Sequence, residues 1–364
     1  MGNRRSLLLY PFSILYRMVT DIRNFLYNTG IFQSEEFDLP VICIGNITVG
    51  GTGKTPHAEY LIDLLRKDFK VALLSRGYKR RSKDFRLVSH SSSAEETGDE
   101  PLQVFLKFSD ILVAVDRDRP HGIRTILKEH PETEVIILDD GFQHRKVKPG
   151  LSILLIDFNR PLTTDYLMPY GNLRENRNNR KRADVIVVSK VPETSSGSEM
   201  ENITREVQWN ERQKLFFTSI SYMDLIPLFK NSAQERPGLP EQNRKNHGAV
   251  IVTGIAAPGP FKTFLEKYFE EIIHLDFPDH HFFSEKDIEK ILKALKDLKS
   301  EEKIVITTEK DAIRLREFTN IDDSLKRSFY YIRVGVSFQK EKKNEFDNMI
   351  IEYVRKNKRD NRIP

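Results

Sequence analysis

A glycine-rich loop between an apolar run and an amphipathic run constrains this chain more than any other feature. The loop reads Thr48-Val49-Gly50-Gly51-Thr52-Gly53-Lys54-Thr55. It follows the strand-like run 41–47, and Ala58, Leu61 and Leu65 after it recur at helical spacing. Glycines in such a loop let successive backbone N–H groups point inward, and the positive end of the following helix attracts anions. The sequence therefore predicts a site for the phosphates of a nucleotide.

The second half of the loop carries the side chains that act on phosphate. In loops of this class the lysine reaches the β- and γ-phosphates and the next hydroxyl binds Mg²⁺, roles that fall here to Lys54 and Thr55. Thr48 replaces the first glycine of the strict pattern. A GTP-binding protein would carry Asn/Thr-Lys-x-Asp after a later strand, and Ser189-Lys190-Val191-Pro192 lacks that aspartate. ATP is the predicted nucleotide.

Short β-rich runs alternate with amphipathic stretches, which predicts an α/β fold. The strand-like runs are 41–47, 71–75, 111–115, 135–138, 151–156, 185–189, 215–221, 249–253, 272–275, 304–308 and 329–334. This alternation is typical of a P-loop NTPase-like parallel sheet with helices on both faces. We expect an N-terminal helix in 1–32, a P-loop kinase domain in 33–214 and a smaller α/β domain in 215–364 that closes over the active site. The polar stretch 231–248 is predicted to be a flexible loop.

Composition narrows the class of protein. The 58 Lys and Arg residues against 53 Asp and Glu give a net charge of +5, which is a weak indication of an anionic partner. The densest basic runs, 79–81 and 180–182, are short and are not interleaved with aromatic residues, so no nucleic-acid partner is expected. Cys43 is the only cysteine, which excludes a disulfide framework and a thiolate metal site. A reducing, cytoplasmic compartment is the simplest interpretation.

The N-terminal segment is unusually apolar for a soluble protein. Leu8, Phe12, Leu15, Val19, Ile22 and Leu26 recur at three- and four-residue steps, so they share one helical face. No run of 18 uncharged apolar residues exists, which argues against a membrane-spanning helix. Two interpretations remain open: an interfacial helix flanked by Arg4 and Arg5, or a helix that packs on its own domain.

Two carboxylates follow the apolar run 135–138. Asp139 and Asp140 come directly after it, before Gly141. Ligands of open α/β sheets bind at the carboxyl ends of the strands, and a nucleotide site of this class needs a carboxylate there to hold the metal. The pair is therefore the candidate Mg²⁺ ligand set together with Thr55, although Asp-Asp-Gly is also ordinary turn chemistry.

Candidate acid–base and substrate-binding groups lie in other loops. Asp99, which precedes Glu100-Pro101, and His280, which precedes His281, are candidates for the base that accepts a proton from a hydroxyl acceptor. Each also has an ordinary interpretation, as a helix cap and as a surface loop residue. Arg76 and Tyr78, and likewise Asn172-Leu173-Arg174-Glu175, offer cations and an aromatic ring to a phosphorylated sugar.

The motifs together resemble those of the tetraacyldisaccharide 4'-kinase family of lipid A biosynthesis. The resemblance runs in order from the N-terminus to about residue 315. It rests on the segments 45–56, 74–78, 98–101, 116–117, 138–144, 171–175, 277–280 and 308–312. It implies transfer of the γ-phosphate of ATP, with Mg²⁺, to the 4'-hydroxyl of a tetraacylated glucosamine disaccharide 1-phosphate, giving lipid IVA. It also implies a monotopic enzyme on the cytoplasmic face of the inner membrane and thus favours the interfacial N-terminal helix.

The same resemblance implies roles for individual residues. Asp99, paired with His280 or its neighbour His281, would activate the 4'-hydroxyl, and Lys54 would hold the transferring phosphoryl group. Thr55 and Asp139 or Asp140 would hold the metal. The residues that would line the lipid and phosphate side are Arg76, Tyr78, Asn172, Arg174 and Glu175.

Two other functions fit part of the sequence. A membrane-tethered NTPase switch would hydrolyse nucleotide without a lipid acceptor, and a soluble small-molecule kinase would not need the N-terminal segment. Both leave the Asp-His and Asn-Leu-Arg-Glu elements unexplained. The lipid kinase is therefore the favoured prediction.

Overall fold

The computed structural model describes residues 6–78, 80–229, 238–239, 246–318 and 321–357. Arg4, Arg5, Lys79, most of the predicted loop 231–248 and the end of the basic tail lie outside these ranges. The chain divides into two compact units, residues 1–220 with 336–364, and residues 221–335. Each unit is described by itself.

The helices and strands follow the predicted alternation. The strands are β1 Val41–Asn46, β2 Val71–Ser75, β3 Arg86–Leu87, β4 Leu112–Val115, β5 Val135–Leu138, β6 Leu151–Asp157, β7 Val185–Ser189, β8 Lys214–Pro227, β9 His247–Thr253, β10 Glu271–Asp276, β11 Glu302–Thr308 and β12 Phe329–Phe338. The helices are α1 Tyr10–Asn28, α2 Lys54–Leu65, α3 Ala94–Thr97, α4 Asp99–Lys107, α5 Arg119–Glu129, α6 Gly197–Val207, α7 Gly259–Leu265, α8 Glu285–Asp297, α9 Glu309–Leu315, α10 Asp323–Lys326 and α11 Lys340–Asn357. Every predicted strand is present, with bounds that differ by a few residues at most, apart from the longer β8 and β12.

The sheet of the first unit places the glycine-rich loop beside the predicted metal ligands. Its strands lie in the order β8-β7-β6-β1-β5-β2-β4-β3, and the pairs are parallel except for β3 with β4. β1 lies between β5 and β6, with Cys43 opposite Leu138. Since both strands run in the same direction, the loop after β1 and the acids after β5 emerge at the same edge.

Burial explains why these runs form a sheet covered on both faces. All residues of β1, β2, β5, β6 and β7 are buried. One cluster joins β2, β4 and β5 to Ile123 and Ile126 of α5, and another joins β6 and β7 to Ile203 and Val207 of α6. Continuous apolar strands of this kind are typical of parallel sheets buried on both sides. The predicted fold class is confirmed.

The second unit has its own parallel sheet in the order β10-β9-β11-β12. Alternate residues of β9 pack on opposite faces: Val250 and Val252 belong to the cluster that includes α8, and Ala249 and Ile251 belong to the cluster that includes α7. This alternation follows from the two-residue period of a strand. The unit therefore carries two apolar layers of its own.

The last helix departs from the predicted domain limits. The sequence analysis placed residues 215–364 in the second domain, whereas the contacts group 336–364 with the first unit. Phe346 of α11 lies edge-on to Phe216, with ring centroids 5.1 Å apart, and tilted against Phe338 at 4.5 Å. The Tyr60 hydroxyl also donates to Asp347 at 2.6 Å. These contacts join distant parts of the chain, so local patterns could not reveal them.

Helix α1 turns its polar side inward. Ser13 and Asn24 are its buried residues, whereas Phe12, Leu15, Val19 and Ile22 are between 55% and 60% exposed. Leu8, just before the helix, is 82% exposed, and Leu26, near its end, is partly buried. The apolar face found by periodicity is therefore not the face that packs on the protein. None of the helices in the described ranges is long and apolar enough to cross a membrane.

Candidate active site

The glycine-rich loop forms a tight turn between β1 and α2. Gly50 and Gly53 have φ values of +101° and +82°, in the region that favours glycine over residues with a Cβ. Asn46, at the end of β1, donates its side-chain amide to the Thr52 hydroxyl at 2.8 Å. The Val49 N–H donates to the Asn172 carbonyl at 2.7 Å. Of the predicted loop residues, Val49 thus donates its N–H to the segment 171–175 and not to a ligand.

Lys54 and Arg174 converge on one carboxylate. The Lys54 ammonium lies 3.6 Å from Asp140 Oδ1, and one Arg174 nitrogen lies 2.9 Å from each Asp140 oxygen. Burial raises the pKa of Asp140, but the positive charges of Lys54 and Arg174 outweigh it and lower that pKa below its ordinary value. The structure thus unites three predicted residues from three different segments around one negative charge.

Asp139 occupies a different electrostatic environment from its neighbour. It is 4% exposed; its Oδ2 accepts from Ser75 at 3.3 Å, and its Oδ1 has no hydrogen-bond partner within the described structure. Burial first, and then the nearby carboxylates Glu100 and Asp140, raise its pKa to about 7. A buried carboxylate oxygen without a donor, among other carboxylates, is an arrangement that a bound cation would stabilise.

The donor set suits magnesium better than a metal held by protein alone. Across the described ranges, no group of three or more His, Cys, Asp or Glu side chains is placed to hold a metal. Mg²⁺ usually takes one or two carboxylates together with substrate phosphates and waters. Asp139, Asp140 and the Thr55 hydroxyl beside the loop fit that requirement.

Two glycines bring the Asp99 turn against the end of β2. An added Cβ on Gly98 would lie 3.2 Å from Gly77 Cα, and one on Gly77 would lie 2.8 Å from the Thr97 carbonyl oxygen. Both glycines have positive φ. Asp99, the first residue of α4, is 7% exposed. The close approach fixes Asp99 and Glu100 beside the strand that carries Ser75.

A buried arginine that no sequence motif singled out binds the backbone of Asp139. Arg119 is 1% exposed; it donates to the Asp139 carbonyl at 3.0 Å and makes a short contact with the Asp116 carbonyl. Burial lowers the pKa of Arg119 to about 10. Asp116 itself accepts from the His121 ring at 2.7 Å. No pattern marked Arg119, although it lies two residues after the quoted segment 116–117.

The other predicted substrate residues differ in accessibility. Arg76 and Tyr78 are exposed, Tyr78 by 62%. Glu175 is 3% exposed and accepts hydrogen bonds from four side chains, at 2.7 to 3.2 Å. The four donors are Asn24, Gln143, Asn179 and Arg182. Glu175 therefore joins α1 to Gln143 and to the helical turn Arg177–Arg182.

The predicted His280 lies in the second unit, where two quoted motifs meet. The Lys310 ammonium lies 3.1 Å from His280 Nε2 and 3.3 Å from Asp279. His280 has a φ of +62°, and its N–H donates to the Gly254 carbonyl at 3.1 Å. The segments 277–280 and 308–312, which follow β10 and β11 on either side of β9, thus form one polar cluster at the same edge of the sheet.

His281 is engaged differently from His280. Its Nε2 lies 3.0 Å from Asp287 of α8, and its ring stacks on Phe277 with centroids 4.8 Å apart. Asp287 is also bound to Ser284 at the start of that helix. His281 is thus bound to the start of α8, whereas His280 contacts Lys310 and Arg314.

The sequence of this chain is similar to those of known proteins. A family model described as "Tetraacyldisaccharide-1-P 4'-kinase" matches residues 5–354. The chain belongs to this family. A protein of Phocaeicola vulgatus named "Tetraacyldisaccharide 4'-kinase" is 45% identical over 353 residues, 96% of each chain. One of the same name from Bacteroides thetaiotaomicron is 43% identical over 96% of this chain and 94% of its own.

A solved structure of the family agrees with the fold. LpxK from Aquifex aeolicus, determined in complex with ATP, superimposes with a TM-score of 0.71 at 30% identity, covering 95% of this chain and 98% of that one. The predicted resemblance to the 4'-kinase family and the prediction of a phosphotransferase are confirmed. ATP as the nucleotide agrees with the ligand of that relative.

Proposed function

We propose that this kinase transfers the γ-phosphate of ATP to the 4'-hydroxyl of a tetraacylated glucosamine disaccharide 1-phosphate, giving lipid IVA. The observation that carries the proposal is the convergence of Lys54 and Arg174 on Asp140 beside the glycine-rich loop. It supplies two cations and a carboxylate where the terminal phosphates of a nucleotide would lie. Family membership supports the acceptor.

In phosphoryl transfer the protein acts mainly by positioning the reacting groups and stabilising the charge on the phosphate oxygens, and covalent catalysis contributes little. The backbone N–H groups from Gly50 to Lys54 would bind the β- and γ-phosphates, and the Lys54 ammonium would follow the transferring group. Arg174, now paired with Asp140, would add positive charge on the γ-phosphate side. Mg²⁺ would be held by Thr55, Asp139 and Asp140, and would supply further neutralisation of phosphate charge.

Asp99 is the proposed base. Its carboxylate would accept the 4'-hydroxyl proton as the new O–P bond forms and the bond from the γ-phosphorus to the bridging oxygen breaks, releasing ADP. Its support is the buried, glycine-fixed turn at the start of α4, in which the next residue, Glu100, is close enough to Asp139 to raise its pKa. Its pairing with His280 stays a prediction, as do the contacts of Arg76, Tyr78, Asn172 and Glu175 with substrate.

Helix α1 supports a peripheral position on the cytoplasmic face of the inner membrane. The helix presents a row of exposed apolar side chains while its polar residues bind the protein. Insertion of such a face into the apolar boundary of a lipid surface is favourable, because it removes apolar side chains from water. An acylated acceptor lies in such a surface, so the helix would bring the site to its substrate.

The decisive experiment is transfer of radiolabel from [γ-³²P]ATP to the purified disaccharide 1-phosphate in detergent micelles. The wild type should label the acceptor, and Asp99→Asn should lower kcat by about 10²- to 10⁴-fold with the Kd for ATP unchanged. Hydrolysis of ATP at a rate indifferent to the acceptor would instead support the NTPase switch. A near-wild-type kcat for Asp99→Asn would remove Asp99 as the base, and His280→Asn tests the second unit in the same assay.

A further inference from the structure

Side chains from outside the glycine-rich loop hold three of its consecutive carbonyl oxygens. The Gly51 carbonyl accepts a short hydrogen bond from the Lys190 ammonium. The Thr52 carbonyl accepts from the Ser189 hydroxyl at 2.8 Å, and the Gly53 carbonyl lies 2.7 Å from Nδ1 of His57. All three side chains belong to the first unit.

Lys190 is fixed at both ends of its side chain. Its backbone has a φ of +60°, unusual for a residue with a side chain. Its ammonium also lies 2.7 Å from Asp157 Oδ2 at the end of β6, and Asp157 is 4% exposed. A buried carboxylate on one side and a loop carbonyl on the other leave the ammonium little freedom to move.

Burial and two hydrogen bonds fix the orientation and the tautomer of the His57 ring. It is 3% exposed, with Nε2 at 2.9 Å from the Thr218 hydroxyl of β8. Because the Gly53 carbonyl can only accept, Nδ1 of the neutral ring must carry the hydrogen, and Nε2 then accepts from Thr218. One tautomer thus satisfies both contacts and links the first turn of α2 to β8.

Fixing these carbonyl groups fixes the N–H groups that would bind phosphate. A trans peptide is planar, so the C=O of one residue and the N–H of the next point in opposite directions. Holding the carbonyls of Gly51, Thr52 and Gly53 therefore aims the N–H groups of the following residues away from Lys190, Ser189 and His57. In the described ranges these N–H groups donate to no backbone carbonyl, so they are available to an anion.

We propose that Lys190, Ser189 and His57 are positioning residues that preset the phosphate-binding conformation of the loop. This role rests on the proposed binding of ATP there. It also gives a function to Ser189-Lys190, which a comparison with GTP-binding proteins had marked only by its missing aspartate. A preorganised loop loses less conformational entropy when the nucleotide binds, so these residues act on affinity for phosphates.

Titration calorimetry of the full chain with ATP and with ADP tests this role. Lys190→Met should weaken both affinities about tenfold and Lys190→Arg much less, because the lost bond is charge-assisted. His57→Leu should weaken them about fivefold. His57→Asn should recover most of that loss, since its amide nitrogen replaces Nδ1 as donor. Lys148→Met, which removes an exposed lysine paired with Glu36, is the matched control and should bind ATP like the wild type.

A purely structural role would show a different pattern. The melting temperature would fall in Lys190→Met and His57→Leu while both nucleotide affinities stayed within twofold of wild type, and that result would overturn the proposal. Ser189→Ala, which removes a single hydroxyl, keeps the test valid where His57→Leu fails to fold. The KM for the disaccharide should stay unchanged in all variants. Wild type that binds ATP without labelling the disaccharide would refute the proposed function while leaving this comparison intact.

Discussion

The Tyr16 hydroxyl donates a 2.8 Å hydrogen bond to the carbonyl of Arg174, joining residues 158 positions apart. Tyr16 lies on the inward side of α1, and Arg174 is the residue whose guanidinium holds Asp140. The backbone of Arg174 is held a second time, since its N–H donates to the Ile47 carbonyl at 2.8 Å. The helix with the exposed apolar face is therefore joined directly to the segment that completes the site.

Removing that bond should loosen the helix without abolishing the fold. Tyr16→Phe keeps the ring and leaves the Arg174 carbonyl without this donor, so we expect a loss of about 1 kcal/mol in the free energy of unfolding. Urea unfolding of the nucleotide-free protein measures it. Tyr10 lies exposed at the start of α1, and Tyr10→Phe is the control. Equal stability of Tyr16→Phe and wild type would show that the bond contributes nothing.

Charges on the outward face of α1 should weaken binding to lipid and spare the fold. Val19 and Ile22 are 58% and 55% exposed, so Val19→Glu with Ile22→Glu should change the free energy of unfolding by less than about 1 kcal/mol. Sedimentation with vesicles should show the double variant in the supernatant and wild type with the lipid. Val19→Leu with Ile22→Leu is the matched control. Co-sedimentation of the charged variant would contradict an interfacial role for this face.

The Arg174–Asp140 pair should show measurable coupling. In a double-mutant cycle of Arg174→Ala and Asp140→Asn, we expect a coupling energy of about 1 kcal/mol, because both side chains are partly buried and the contact involves both carboxylate oxygens. Thermal unfolding without nucleotide measures this coupling energy separately from any effect on nucleotide binding. Coupling indistinguishable from zero would mean that Asp140 is held by Lys54 alone.

The stability of the protein should fall between pH 6.5 and 4 in a manner that depends on His144. Burial first, and then Arg119 and Arg76, lower the pKa of His144 to about 4 from 6.5. Above pH 6.5 the ring is neutral in both states. As the pH falls below 6.5, His144 of the unfolded chain binds a proton, whereas His144 of the folded protein stays neutral until about pH 4. The free energy of unfolding therefore decreases by at most ~3 kcal/mol.

Denaturant unfolding at pH 7 and pH 5 measures this dependence. His144→Gln should lose less stability between the two pH values than the wild type does. Part of the dependence should remain, because burial also lowers the pKa of His57 to about 4. His90→Gln, at an exposed position, is the control. An unchanged pH dependence in His144→Gln would show that this ring is not the source.

The sequence by itself determined the alternation of strands and helices, because continuous apolar runs such as 135–138 can satisfy their burial only in a sheet covered on both faces. It also determined the ligand chemistry of the loop, since Gly53, Lys54 and Thr55 are consecutive residues at the start of α2 and their chemical type alone predicts phosphate binding. Likewise, the two acids after β5 could be placed near that loop from the rule that parallel strands end at one edge.

Only the tertiary structure decided how those groups are held and which face of α1 is free. Arg174 meets Asp140 and Lys190 meets Gly51 across gaps of 34 and 139 positions, and no local period encodes such pairs. Periodicity found the apolar face of α1 correctly but not its direction, because Ser13, Tyr16 and Asn24 find their hydrogen-bond partners in segments far along the chain. Local sequence sets the pattern of each element, whereas the direction in which that pattern faces depends on contacts that form only when the chain has folded.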